Sequence, residues 1–161
     1  GAIRQGDLLT IGPDAATLAP PKSRPGRRPS AEAHLHVTIA RVRGASAILH
    51  THSVWSTMLS ERHASRRGLA ISGLEMLKGL EGVATHQHAE WLPILENDQD
   101  MPRLARRLES TLTECPAAHG FLLRGHGLYT WGADLAQARR HVEIFEFLLE
   151  TVGRMNQPLG E

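Results

Sequence analysis

The feature that most constrains this chain is an apolar run, residues 45–49, that leads directly into His50-Thr51-His52. A short apolar run of this kind is typical of a buried strand. In a strand, residues i and i+2 point to the same face, so both imidazoles can reach one ion. In a helix the same spacing would set them roughly 200° apart. The run therefore predicts a strand that carries two metal ligands to its end.

Two further His-x-His pairs have less favourable surroundings. His34 and His36 fall inside a predicted helix over residues 31–42, where they diverge, so this pair is predicted to be structural. His86 and His88 lie in a segment that is compatible with an extended chain, and they stay as the rival pair for metal binding.

A third ligand is expected from another strand end, because catalytic zinc usually has three protein ligands and an open position. His126 is the best candidate, since it follows an apolar strand and is flanked by Gly125 and Gly127, which permit a close backbone approach. Glu32 and Glu75 are expected near this site as proton carriers, although an isolated glutamate on a helix is usually solvated.

Composition limits the class of protein. The 161 residues are most simply one domain. A net charge of +1 gives no electrostatic case for nucleic acid or a membrane as partner, and no apolar run approaches the length of a bilayer span. The single cysteine, Cys115, excludes an internal disulfide and suits a reducing compartment, so a cytoplasmic protein is expected.

The remaining patterns mix strands and helices without a regular βαβ rhythm, which indicates a sheet flanked by helices in the α/β or α+β class. The predicted helices are 31–42 with Ser30 as N-cap, 54–60, 74–80, 102–115 and 134–154. The predicted extended segments are 6–11, 45–52, 83–88 leading into 91–95, 121–124 and 128–131. The predicted loops are 19–29 and 61–68.

Three short motifs together resemble the class II aldolase/adducin family of zinc-dependent sugar-phosphate enzymes. They are Pro29-Ser30-Ala31-Glu32, His50-Thr51-His52-Ser53 and Gly125-His126-Gly127-Leu128. Within the family, residues 50–59, 74–79 and 125–132 look most like the dehydratases that act on a phosphorylated ketose. The matches run from about Gly6 to Met155 in the expected order, and together they are specific to the family.

The resemblance implies an α/β/α sandwich around a mainly antiparallel sheet, assembled as a homotetramer. It implies one Zn²⁺ per subunit on His50, His52 and His126, and it gives the dehydratase's acid/base role to Glu75. The family normally begins with further helices and a Thr-Ser-Gly-Asn-type loop that helps to hold phosphate. Residues 1–161 are therefore expected to form a single domain of this type that lacks the N-terminal segment.

Three more residues receive substrate-binding roles. Ser30 matches a residue near the substrate phosphate, and Glu32 matches the catalytic carboxylate of the related aldolases. Lys78 lies one turn from Glu75, where it would hold that carboxylate ionised or contact the substrate; a plain surface lysine is an equal alternative. The sequence thus predicts a zinc-dependent lyase that dehydrates a ketose phosphate. Its alternatives are an aldolase or epimerase that uses Glu32, and a non-catalytic interaction module such as the adducin-type members.

Overall fold

The fold is organised around a five-stranded sheet in a computed structural model that describes residues 8–19, 26 and 28–156. Its strands in chain order are β1 (Thr10–Ile11), β2 (Thr17–Ala19), β3 (Ala47–Thr51), β4 (Gly68–Ser72), β5 (Ala89–Leu95), β6 (Gly120–Leu123) and β7 (Gly127–Gly132). Strands β1 and β2 form a separate two-stranded sheet, and the central sheet has the order β3-β7-β6-β5-β4.

Within the described residues, four helices cover the central sheet. They are α1 (Ala33–Arg43), α2 (Val54–Arg62), α3 (Met101–Glu114) and α4 (Leu135–Met155), and two short 3₁₀ helices span Ala64–Arg66 and Glu75–Gly79. None of the helices in the described part of the chain combines the length and the apolar character that a membrane crossing requires.

The strand directions give the sheet two functionally different edges. Pairs β3–β7, β6–β7 and β4–β5 are antiparallel and only β5–β6 is parallel, so the prediction of a mainly antiparallel sheet is confirmed. From this register, β3, β5 and β6 all end at one edge, which we call the histidine edge. Strands β4 and β7 end at the opposite edge, which we call the far edge.

Alternating side chains divide the core into two layers, one on each face of the sheet. Phe121 and Leu123 of β6 pack with buried residues of α1 and α3, such as Leu35 and Leu108. Leu122, between them in sequence, packs with residues of α2 and α4 on the other face. The predicted α/β/α sandwich is therefore confirmed.

The start of α1 differs from the prediction. Residues 31–32 form a turn, and the helix begins at Ala33 with Glu32, not Ser30, as its N-cap. The Ser30 hydroxyl accepts a hydrogen bond from the backbone N–H of Glu32 at 3.2 Å. A serine favours such a local turn as readily as a helix cap, and only the geometry distinguishes the two.

Three other predicted elements need correction. The segment 83–88 is not a strand; β5 begins only at Ala89, after a turn that contains His86 and His88. The predicted helix over 74–80 is the 3₁₀ helix Glu75–Gly79. Strand β4 is absent from the prediction, although its buried residues Leu69 and Ile71 show the two-residue alternation of a strand.

The predicted strand over residues 6–11 is described only from Leu8, with Thr10–Ile11 extended, and most of the predicted loop 19–29 lies outside the described residues.

Candidate metal centre

The His50/His52 pair lies at the histidine edge, where β3 ends. His50 is the fourth residue of β3, and His52 follows the strand directly. Ser53 then stops the extended chain, because it is the N-cap of α2 in a reciprocal capping box with Ser56. The local sequence therefore fixes both the end of the strand and the position of the two rings.

His126 reaches the same place from the turn between β6 and β7. Gly125 has a φ of 62°, in the left-handed region that favours glycine. At Gly127 an added Cβ atom would lie 2.2 Å from the backbone oxygen of Thr51 and 3.0 Å from ring atoms of His50 and His52. Glycine at 127 therefore lets β7 approach β3 closely enough to bring His126 onto the pair.

Four side chains meet at this point: His50, His52, His126 and Glu32, whose ligand atoms all lie within 4.8 Å of one another. The Nε2 atoms of His50 and His52 are 2.7 Å apart. The Oε1 atom of Glu32 lies 3.3 Å from Nε2 of His126 and 3.7 Å from Nε2 of His50. Three imidazoles and a carboxylate therefore converge on one small volume.

The orientation of His50 is fixed by its neighbours on β7. Its Nδ1–H donates to the backbone oxygen of Leu128 at 2.9 Å, which leaves the Nε2 lone pair directed at the cluster. Its ring stacks on Tyr129, with 3.9 Å between ring centroids. Burial holds the pKa of His50 below its usual value, against the opposing effect of the hydrogen bond to Leu128. The neutral ring that results is the form that binds metal ions.

This donor set suits a divalent metal ion. Neutral imidazole nitrogens with one carboxylate oxygen are typical zinc ligands, and other transition metals accept the same donors. Within the described residues, Nδ1 of His126 is buried without a hydrogen-bond partner, and Nε2 is the atom that faces Glu32. The side chains present therefore fit a bound metal, and Glu32 is placed either to complete its coordination or to carry a proton beside it.

Glu75 and Lys78, the other two residues with predicted roles, are not part of this cluster. Glu75 follows β4 by three residues and so lies at the far edge of the sheet. There it pairs with Lys78, and its Oε2 atom is 3.7 Å from Nδ1 of His86. The hydrogen bond and charge of Lys78 hold the pKa of Glu75 below its usual value. Ser30 contacts the turn that carries Glu32 but is not one of the four cluster residues.

The other His-x-His pairs also lie apart from the cluster. His34 and His36 are on α1, and the His36 ring meets Tyr129 edge to face at 5.7 Å between centroids. His86 and His88 are in the turn before β5, at the far edge.

The sequence patterns did not predict a role for Tyr129, whose ring stacks against that of His50. Tyr129 is the direct cross-strand partner of His50. Burial and the negative charge of Glu32 raise its pKa above the usual value, so its hydroxyl stays neutral. Its position two residues after Gly127, on the same face of β7, was the available signal.

A family model described as Class II Aldolase and Adducin N-terminal domain matches residues 1–152. A methylthioribulose-1-phosphate dehydratase of Enterobacter sp. (strain 638) is 47% identical over 158 residues, which cover 98% of this chain and 74% of that protein. A protein of the same name from Serratia proteamaculans (strain 568) is 49% identical over 151 residues, covering 93% and 71%.

Solved structures share the fold at lower identity. A putative aldolase/epimerase/decarboxylase from Klebsiella pneumoniae, YgbL, superposes with a TM-score of 0.75 at 20% identity, over 98% of this chain and 70% of that one. L-fuculose-1-phosphate aldolase from Thermus thermophilus gives 0.68 at 20% identity, over 99% and 75%. At this identity the likeness concerns the fold alone.

Replacing His126 with alanine is expected to remove one bound divalent metal ion per chain, because the remaining donors no longer enclose the ion. Metal content of the purified, tag-free protein measured by mass spectrometry checks this. His34→Ala is the matched control, since it removes an imidazole from α1 outside the cluster. Equal metal content in His126→Ala and wild-type protein would contradict the site.

Proposed function

The chain belongs to the class II aldolase and adducin family, and on that premise we propose that it is a zinc-dependent dehydratase acting on 5-methylthioribulose 1-phosphate. The observation that carries the proposal is the convergence of His50, His52 and His126 with Glu32, in a chain 47–49% identical to dehydratases of that name. The product would be 2,3-diketo-5-methylthiopentyl 1-phosphate, and the reaction would be a step of methionine salvage.

The reaction needs a base and then an acid. When bound, a zinc ion on His50, His52 and His126 would supply Lewis-acid polarisation of the C2 carbonyl. We assign the proton transfers to Glu75. Its carboxylate takes the proton from C3 and returns it to the C4 hydroxyl, which leaves as water. The C3–C4 enol then tautomerises to the 2,3-diketone, so the atoms balance as the loss of one water.

The charge state of Glu75 suits this assignment. The Lys78 ammonium favours the ionised carboxylate, which is the form that accepts a proton. The side chain is 68% exposed, so it is accessible to a substrate held by another surface.

Within one chain, however, Glu75 and the histidine cluster lie at opposite edges of the sheet. Five-residue strands such as β3 and β4 separate the two edges by about 13 Å. Glu75 would therefore act on the histidine cluster of a neighbouring copy. This arrangement requires a contact that sets the far edge of one subunit against the histidine edge of another. The proposed homotetramer supplies it.

The other proposed roles follow from position. Ser30, two residues from Glu32, would contact the substrate phosphate, and Glu32 would orient the substrate at the metal. A cytoplasmic location is proposed because the single cysteine, Cys115, suits a reducing compartment.

A second candidate function is an aldolase or epimerase on another ketose phosphate, with Glu32 as proton carrier. The observation that favours it is that Glu32, and not Glu75, lies within the cluster of the same chain. A non-catalytic interaction module fits less well, because it has no use for three convergent imidazoles.

An assay with three substrates separates these functions. Wild-type protein is expected to dehydrate methylthioribulose 1-phosphate and to leave fuculose and rhamnulose 1-phosphates uncleaved. Glu75→Gln should reduce kcat by about 10²–10⁴-fold with zinc content unchanged, because an amide cannot transfer the proton. Glu143→Gln, an exposed residue of α4, is the matched control. Aldol cleavage that Glu32→Gln abolishes would support the aldolase instead, and absence of zinc and turnover would support the interaction module.

Mixed oligomers test whether Glu75 acts across a subunit contact. Glu75→Gln and His126→Ala homo-oligomers should each be inactive. Co-expressed with different tags and purified through both, they should recover about a quarter of wild-type activity, because some sites combine intact histidines with the neighbour's Glu75. Doubly tagged oligomers without activity would place Glu75 outside the mechanism or within its own subunit's site.

The pH dependence tests the role of Lys78. Loss of activity at low pH should follow protonation of Glu75. Lys78 lowers the pKa of Glu75, so Lys78→Ala raises it, and the acid limb of kcat/KM should move to higher pH. Lys78→Arg keeps a cation and should leave the limb near its wild-type position. An acid limb that stays fixed in Lys78→Ala would make Lys78 a surface lysine without influence on the reaction.

A further inference from the structure

A second group of side chains with metal-ligand chemistry lies at the far edge of the sheet: His88, Glu90 and His119. His88 directly precedes β5, Glu90 is its second residue, and His119 directly precedes β6. The three ligand atoms lie within 4.8 Å of one another. The proposed dehydration does not use this group, and the family resemblance gives it no role.

The carboxylate of Glu90 is unusually enclosed for a charged group, with a side chain only 1% exposed. Its Oε2 atom is shared by two imidazoles, at 2.8 Å from Nε2 of His88 and 3.0 Å from Nδ1 of His119. Its Oε1 atom accepts the backbone N–H of His119 at 2.9 Å. A buried carboxylate is costly unless positive charge compensates it, so a cation is expected here.

The hydrogen bonds of His119 show where that cation belongs. Its Nε2 atom lies 2.8 Å from the backbone oxygen of Glu81, and a carbonyl oxygen only accepts, so Nε2 carries a hydrogen. In the neutral ring, Nδ1 then presents a lone pair to the Glu90 oxygen. Two lone pairs at this distance repel unless a proton or a metal ion lies between them. His50 has the same arrangement in the other cluster, where Nδ1–H donates to a backbone oxygen and Nε2 is directed at the other residues of the cluster.

We propose that His88, Glu90 and His119 form a second divalent-metal site, distinct from the centre at the histidine edge. The ligand atoms are Nε2 of His88, Oε2 of Glu90 and Nδ1 of His119. Ligands about 2.0–2.2 Å from one ion lie roughly 3.0–3.4 Å apart, so the present distances require only a small spread of the side chains.

The surroundings leave room for further ligands. His88 and His119 line a cavity of about 520 Å³ that opens to solvent, and its wall also contains His141 and Gln137. His141 is not itself a ligand, since its Nδ1–H donates to the backbone oxygen of Trp131 and its Nε2 accepts the N–H of Glu81. Two imidazoles and one carboxylate with open positions suit zinc, and also manganese, iron or cobalt.

A proton is the competitor for the same position. Burial alone lowers the pKa of His119, but the hydrogen bond and charge of Glu90 raise it above the usual value. An imidazolium–carboxylate pair would then fill the cluster without metal. A proton in this position predicts no bound ion at the cluster, whereas the proposed site predicts one ion per chain. The measured ion stoichiometry therefore decides between them.

The test counts ions in tag-free, full-length protein that is stripped with a chelator and dialysed against micromolar zinc. Wild type should retain two zinc ions per chain, and His50→Ala/His126→Ala should retain one. Adding His88→Ala to that background should remove the remaining ion or weaken its binding at least tenfold. Adding His86→Ala should change nothing, since His86 occupies the same turn but is outside the group.

Two further measurements separate loss of metal binding from loss of folding. Circular dichroism verifies that each variant is folded, and His88→Ala is chosen because His88 is the most exposed of the three ligands. In the His50→Ala/His126→Ala background, zinc should raise Tm, and His88→Ala should abolish that rise. The proposal is overturned if the folded background protein binds no zinc, or if His88→Ala and His86→Ala retain equal amounts. Neither outcome bears on the dehydratase proposal, because the first site and its activity are measured separately.

Discussion

The antiparallel register between β3 and β7 is the constraint on which the histidine-edge site depends. It sets His50 directly opposite Tyr129 and lets the backbone oxygen of Leu128 fix the imidazole. A slip of one residue would turn His50 to the other face of the sheet and separate it from Glu32. Because an added Cβ at Gly127 would meet Thr51 at 2.2 Å, the same close approach that fixes the register also brings in His126.

Short-range patterns are sufficient to predict much of this site. Two-residue periodicity assigns the His50/His52 pair to a strand end, and the structure brings His126 to the pair, as expected from its glycine neighbours. The α/β/α layering follows from family resemblance and is confirmed. Strand β4 escapes prediction because it begins with Gly68 and has only two large apolar residues, Leu69 and Ile71. The predicted start of α1 is wrong because Ser30 favours a turn as readily as a cap.

The relation between the two edges of the sheet cannot be predicted from the sequence. Motif matching places Glu75 and the histidines in one catalytic set, but strand direction puts them at opposite edges of one chain. A linear sequence carries no mark of which copy supplies a side chain. The topology supplies this information. Because Glu75 and the histidines lie at opposite edges of one chain, Glu75 can serve the histidine cluster only of another subunit. The proposed role of Glu75 therefore requires an assembly of at least two subunits.

The two clusters also illustrate why histidine spacing alone is a weak predictor. The pair His86/His88 is the rival of His50/His52 in the sequence, and the structure separates its members: His86 faces Glu75, whereas His88 faces Glu90. The partner of His88 is His119, 31 positions later, because parallel strands β5 and β6 begin at the same edge. Side chains that precede neighbouring parallel strands meet in space whatever their separation in sequence. Both imidazole clusters therefore follow from one sheet, one where β3 and β6 end and the other where β5 and β6 begin.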